Sequence, residues 1–187
     1  GVRFDMIELD ENISFELFRT NKDKVKFKFL CTYYEPFNYK KSIYTLREKS
    51  RTLTDFLKNA TAEQRTKIAI HLSYDFAFLL SLPYSISFDI DEKYIVIDND
   101  GLPKIQIVPV NDSSYFKLLG KFGNVLDLIQ GESEQKNDYL ASTISIIKKI
   151  IERESEHSLE KDPLFPLFPD IFFDFFNEPI CYYFPGI

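Results

Sequence analysis

The chain has 187 residues, 44% hydrophobic and 16% aromatic, so it can bury a sizeable core and is too apolar for an intrinsically disordered protein. Its net charge of -6 disfavours a general nucleic-acid-binding protein. A chain of this length is most simply one domain. Its two cysteines lack metal-ligand spacing and fit a reducing compartment, so we expect the protein in the cytoplasm. The absence of an apolar run of about 18 residues predicts no transmembrane segment.

The first third of the chain is predicted to be rich in β-structure. Residues 13–30 alternate between apolar and polar on either side of a polar segment at 20–24, which predicts a β-hairpin. The sequence Ser-Ile-Tyr-Thr-Leu at 42–46 is a further candidate strand. Helix starts are predicted at Thr52–Asp55 and Thr61–Gln64, because a Thr hydroxyl and a polar side chain three residues later can cap a first turn reciprocally.

A long helix is predicted from this second start to about Leu82, where Pro83 blocks its continuation. Apolar residues cover most of its surface, so we expect it to be central.

The remaining elements follow this helix in order. Two β-branched runs, at 94–97 and 105–108, flank Asn99-Asp100-Gly101, a sequence typical of a tight hairpin turn. Further helices are predicted over 113–130 and 137–155.

The C-terminal segment, residues 162–187, is rich in proline and phenylalanine. Its aromatic rings either complete the core of the domain or anchor a partner, since a few exposed rings can stabilise a complex. The acidic residues among them argue against insertion between anionic lipids. The candidate partner-binding residues are Phe165, Phe168, Phe172, Phe173, Phe175 and Phe176.

The succession of helix, acidic loop, short strand, turn and short strand resembles the protein-kinase catalytic core over residues 42–155. The resemblance implies an α+β, protein-kinase-like fold. Its parts would be a reduced β-rich N-terminal lobe at 1–46, a mainly helical C-terminal lobe at 47–161, and a Phe/Pro-rich segment at 162–187 that packs on the domain or on a partner.

The chemistry of the kinase family is mostly missing from the corresponding positions. Ser87-Phe88-Asp89 replaces the His-Arg-Asp triplet, so the resemblance places Asp89 where the catalytic base would be. The catalytic-loop lysine falls on Asp91, the metal-binding asparagine on Tyr94, and the Asp-Phe-Gly triplet on Ile107-Val108-Pro109. No Gly-rich loop precedes them.

Because phosphoryl transfer depends on bound metal ions, the resemblance implies a protein that is not an enzyme and holds no cofactor and no metal. It predicts a non-catalytic pseudokinase-like scaffold that binds protein partners, and not nucleic acid.

Three other interpretations stay open. The strand at 88–97 and the turn Asp100-Gly101-Leu102-Pro103 are also similar to the kinase-like cytosolic domain of the type VII secretion membrane component, which implies an adaptor domain of a secretion apparatus. An atypical nucleotide-using enzyme would employ Asp89 as its base. The acidic loop at 89–100 could bind a cation, although an EF-hand register would place Val96 and Ile107 at ligand positions.

Overall fold

A computed structural model describes the backbone of residues 1–16, 19, 27–81, 88–111, 115–131 and 138–160. The chain divides into two units. The first unit contains Gly1–Lys58 and Ile86–Ser114, and the second contains Asn59–Ser85 and Tyr115–Ile187.

The first unit is built mainly from short antiparallel strands. Its larger sheet has the order β1-β3-β2, with strands β1 (Phe4–Leu9), β2 (Phe37–Tyr39) and β3 (Ser42–Glu48). A second sheet has the order β4-β6-β7, and strands β5 and β8 form a separate pair. These strands are β4 (Arg51–Thr52), β5 (Phe88–Asp89), β6 (Ile95–Ile97), β7 (Pro103–Ile105) and β8 (Val108–Pro109).

Short helical elements adjoin two of these strands. Helix α1 (Leu53–Leu57) follows β4, and a 3-10 turn, Glu92–Tyr94, precedes β6. The predicted start of α1 is confirmed, because the Thr52 hydroxyl accepts a hydrogen bond from the Asp55 N–H at 3.1 Å. Such a cap satisfies a backbone donor that the first helical turn leaves free.

In its described residues the second unit contains three long helices: α2 (Ala62–Ser81), α3 (Tyr115–Gln130) and α4 (Asp138–Glu160). The capping box of α2 is confirmed in both directions. The Thr61 N–H donates to Gln64 Oε1 at 2.9 Å, and the Gln64 N–H donates to Thr61 Oγ1 at 3.2 Å. The three helices pack together around stacked Phe76 and Phe122 rings, whose centroids are 4.3 Å apart.

The predicted hairpin over residues 13–30 is wrong where the structure describes it. Phe15 is helical, and Ile13 and Leu30 form isolated bridges to Val110 and Ile105 instead of pairing with each other. Residues 17, 18 and 20–26 lie outside the described ranges. Tertiary pairing with the second half of the chain therefore overrides the local alternation.

A hairpin that the sequence did not predict connects β2 and β3, further along the chain. Tyr39 pairs with Ser42, and the two connecting residues, Lys40 and Lys41, have φ angles of 44° and 68°. The second predicted hairpin is confirmed at its turn, since β6 and β7 pair around Gly101. Its second strand begins two residues earlier than expected, at Pro103.

None of the helices in the described ranges is both long and apolar enough to cross a membrane.

The end of α3 provides a test of the second unit. Gly131 has a φ of 65°, and a Cβ at this position would lie 3.1 Å from Arg65 Nη1. We expect Gly131→Ala to lower the free energy of unfolding by about 1–2 kcal/mol, because an L-residue is strained in this conformation. Urea denaturation measures the change.

Gly120→Ala is the matched control. Gly120 is helical, and a Cβ there would meet no atom within 4 Å, so this substitution should raise stability by roughly 0.5–1 kcal/mol. Equal effects of the two substitutions would contradict the assigned role of Gly131.

Candidate functional site

The structure brings together the two segments that the kinase resemblance assigns to the catalytic base and to a metal ligand. Strands β5 and β8 pair antiparallel, with Asp89 opposite Val108 and Phe88 opposite Pro109. Both strands belong to the first unit. These residues are separated in sequence by the whole β6–β7 hairpin, so their proximity follows from the topology.

Asp89 and Asp91 are both engaged by the backbone of their own loop. Asp89 is 8% exposed, and its Oδ1 accepts a hydrogen bond from the Ile90 N–H at 3.0 Å. Asp91 caps the 3-10 turn, since its Oδ1 accepts from the Lys93 N–H at 3.1 Å. The Asp91 carboxylate therefore stabilises the turn that leads to Tyr94.

Tyr94 is 1% exposed and lies in an apolar cluster with Leu9, Ile13 and Val108. Strand alternation explains part of this cluster, because Ile7 and Leu9 point to the same face of β1. Half-buried side chains complete it: Ile7, Phe15, Tyr33 and Ile43. A phenol ring in a hydrocarbon environment thus fills the position that the resemblance assigns to a metal-binding asparagine.

The position of the missing Asp-Phe-Gly aspartate is apolar as well. Ile107 is buried, and the adjacent Val108 packs against Tyr94. Mg²⁺ is usually held by carboxylate, carbonyl and phosphate oxygens, which Ile107 and Val108 side chains do not supply. Within the described ranges, no group of three or more His, Cys, Asp or Glu side chains is arranged to hold a metal ion.

The electrostatic environment of Tyr94 is negative. Burial raises the pKa of the Tyr94 hydroxyl, and the carboxylates of Asp89, Asp10 and Asp91 raise it further. A phosphate group without a bound cation would therefore meet charges of its own sign here.

Arg47 fixes the turn that carries Tyr94, and sequence reasoning missed it. This residue is 4% exposed, and its Nη1 donates to the Lys93 carbonyl at 2.5 Å and to Gln106 Oε1 at 3.3 Å. Burial lowers the pKa of its guanidinium group. The alternation of β3 could have indicated its position, because Ile43, Thr45 and Arg47 share one face of the strand.

Asp98 shapes the β6–β7 turn. Its Oδ1 accepts hydrogen bonds from the N–H groups of Asp100 and Leu102, both at 2.9 Å. Gly101 adopts a φ of 77° in the same turn. These contacts assign the Asp98 carboxylate a structural role in the turn. Asp98 belongs to the acidic loop at 89–100, for which cation binding is one interpretation of the sequence.

The six candidate partner-binding phenylalanines, between Phe165 and Phe176, lie outside the described residues. Their role in partner binding stays a prediction.

No protein-family model matches the chain, and no curated protein matches it. Among solved structures, one described as an apo pseudokinase is similar, with a TM-score of 0.53 and 14% sequence identity. The alignment covers 96% of this chain and 85% of the pseudokinase. The fold is kinase-like. At this identity the similarity concerns the fold alone, and the resemblance to the secretion component stays a prediction.

The burial of Tyr94 predicts a loss of stability at alkaline pH. Because the pKa of Tyr94 is raised in the folded protein, its stabilising effect is complete below the ordinary value of 10 and is lost as the unfolded chain releases this proton. Between pH 10 and 11 this residue should cost up to about 1.4 kcal/mol. Urea titrations across this range should show a flatter dependence for Tyr94→Phe than for the wild type.

Tyr139→Phe is the control, since the Tyr139 ring is 69% exposed. It should retain the wild-type dependence on pH. If Tyr94→Phe also retained it, the proposed burial of the hydroxyl would be wrong.

Proposed function

We propose that this chain is a non-catalytic, pseudokinase-like module that acts by binding protein partners. The observation that carries the proposal is the apolar filling around Tyr94 and Val108, which occupies the place where the resemblance expects metal ligands. The similarity in fold to a solved pseudokinase supports it.

The chemical requirements of phosphoryl transfer explain why this filling supports the proposal. A kinase neutralises the developing charge with metal ions held by an aspartate and an asparagine. Here Ile107 and Tyr94 stand at those positions, and the carboxylates of Asp89, Asp10 and Asp91 raise the pKa of the Tyr94 hydroxyl. Asp89 alone cannot replace this arrangement, because a base without bound metal and positioned phosphates lacks the main source of catalysis.

Opening the cluster for a nucleotide would also be costly. Exposing one large buried apolar side chain costs roughly 1.5–3 kcal/mol, and Tyr94, Leu9, Ile13 and Val108 are all buried here. Nucleotide binding would have to offset this cost and the repulsion from Asp89, Asp10 and Asp91 before any affinity became measurable.

The proposal assigns to the fold the binding of protein partners. We place a reduced β-rich lobe at 1–46 and a helical lobe at 47–161, with the Phe/Pro-rich residues 162–187 as the candidate contact segment. Phenylalanine supports this assignment, because buried aromatic anchors supply much of the binding energy of protein interfaces.

Thermal denaturation with and without Mg-ATP tests the proposal. We expect unchanged melting curves, because the chain should not bind this nucleotide. A ligand that did bind, present at about one hundred times its Kd, would stabilise the protein by roughly 2.7 kcal/mol. ATP without Mg²⁺ is the control for effects of ionic strength. A stabilisation that requires both Mg²⁺ and ATP would contradict the absence of a nucleotide site.

Incubation with labelled ATP tests the alternative, an atypical nucleotide-using enzyme with Asp89 as its base. We expect no labelled product from the wild type or from Asp89→Asn. A product that the wild type forms and Asp89→Asn does not would establish Asp89 as a base and overturn the proposal.

A further inference from the structure

Strand β1 is an edge strand of its sheet. It lies at the end of the β1-β3-β2 sheet and, in the part of the chain that the structure describes, pairs only with β3. The Lys49 N–H donates to the Arg3 carbonyl at 2.8 Å, so Arg3 and Lys49 form a hydrogen-bonded pair. In an antiparallel ladder such pairs alternate with non-bonded ones. The N–H and C=O groups of Phe4, Met6 and Glu8 therefore point away from β3.

The same edge carries exposed apolar side chains. Val2, Phe4 and Met6 are 68%, 43% and 47% exposed. The register places Met6 opposite Leu46, so the apolar surface continues onto β3 at this pair, while Phe4 lies opposite Glu48. Free main-chain groups beside exposed apolar side chains are the features that lead edge strands to associate.

We propose that β1 pairs antiparallel with β1 of a second copy of this chain, with Met6 opposite Met6 on a twofold axis. The two three-stranded sheets would then form one continuous sheet of six strands. Phe4 of each copy would lie opposite Glu8 of the other, and the outward N–H and C=O groups of all three residues would be satisfied.

The charges along β1 favour this antiparallel orientation. Arg3 precedes the strand, while Asp10 and Glu11 follow it. Antiparallel pairing brings Arg3 of one copy near the acidic end of the other. Parallel pairing would bring the acidic residues of both copies together, and like charges on neighbouring strands are destabilising.

Two features select the register of the proposed pairing between the two copies of β1. They are the N–H and C=O groups that point away from β3 and the positions where the strand ends. Pairing centred on Asp5 would place two aspartates opposite each other, which is unfavourable. Pairing centred on Ile7 would require a strand as far as Asp10, whose carbonyl instead accepts a hydrogen bond from the Ile13 N–H at 3.3 Å in a turn. Pairing centred on Met6 uses the strand from Arg3 to Leu9, which the structure contains.

The proposed contact does not depend on whether the chain binds nucleotides. Ile7 and Leu9 face the cluster around Tyr94, whereas Phe4 and Met6 lie on the opposite face of the strand. Dimer formation thus leaves the candidate site unchanged, and each proposal can fail without the other.

Cysteine crosslinking tests the register. In a background of Cys31→Ala and Cys181→Ser, Met6→Cys places two thiols opposite each other on the twofold axis. We expect a disulfide-linked dimer under mild oxidation, because directly opposite residues lie within the Cα separation that a disulfide needs. Phe4→Cys is the matched control on the same face, since its two copies would be four residues out of register. Equal crosslinking of both variants would overturn the register.

Sedimentation of the full chain tests the dimer itself. Met6→Lys places two cations opposite each other and should raise the dimer dissociation constant at least about tenfold. Tyr39→Lys, on the opposite edge strand β2, should leave it unchanged. A wild-type monomer at micromolar concentration would overturn the proposal, even if its β1 edge bound a strand of another protein. A Met6→Lys variant as dimeric as the wild type would also overturn it.

Discussion

The hydrogen bond from Arg47 to the Lys93 carbonyl is the constraint on which the first unit depends. It joins strand β3 to the 3-10 turn and so holds Tyr94 inward among Leu9, Ile13 and Val108. A buried guanidinium is costly to desolvate, and this one bonds only a backbone carbonyl and an amide oxygen in the contacts described. Fixing this turn therefore costs the desolvation free energy of the Arg47 guanidinium group.

That constraint shows how a kinase-like fold can hold an apolar cluster where the kinase resemblance expects a metal ligand. In a phosphotransferase the corresponding loop must leave room for metal ions and phosphates, and their charges must be compensated. Here an aromatic ring and aliphatic side chains occupy the region, so the fold is held by burial of apolar area. The carboxylates of Asp89 and Asp91 then remain where they bond backbone N–H groups.

The sequence predicted those features that depend on local chemistry. The capping residues Thr52 and Thr61 marked two helix starts, and Asn99-Asp100-Gly101 marked the turn between β6 and β7. It did not predict the β2–β3 hairpin, because Lys40-Lys41 is not a sequence that usually adopts positive φ. Arg47 was missed for a related reason: its burial depends on an acceptor 46 residues away, which alternation alone does not reveal.

The period of two along β1 connects the candidate site with the surface of the sheet. Side chains that point to one face, Ile7 and Leu9, close the cluster around Tyr94, while Phe4 and Met6 on the other face remain exposed. A shift of one residue in the pairing with β3 would exchange the two sets. Closure of the cluster around Tyr94 and exposure of an apolar surface therefore follow from the same strand register, and a substitution that alters the register would disturb both.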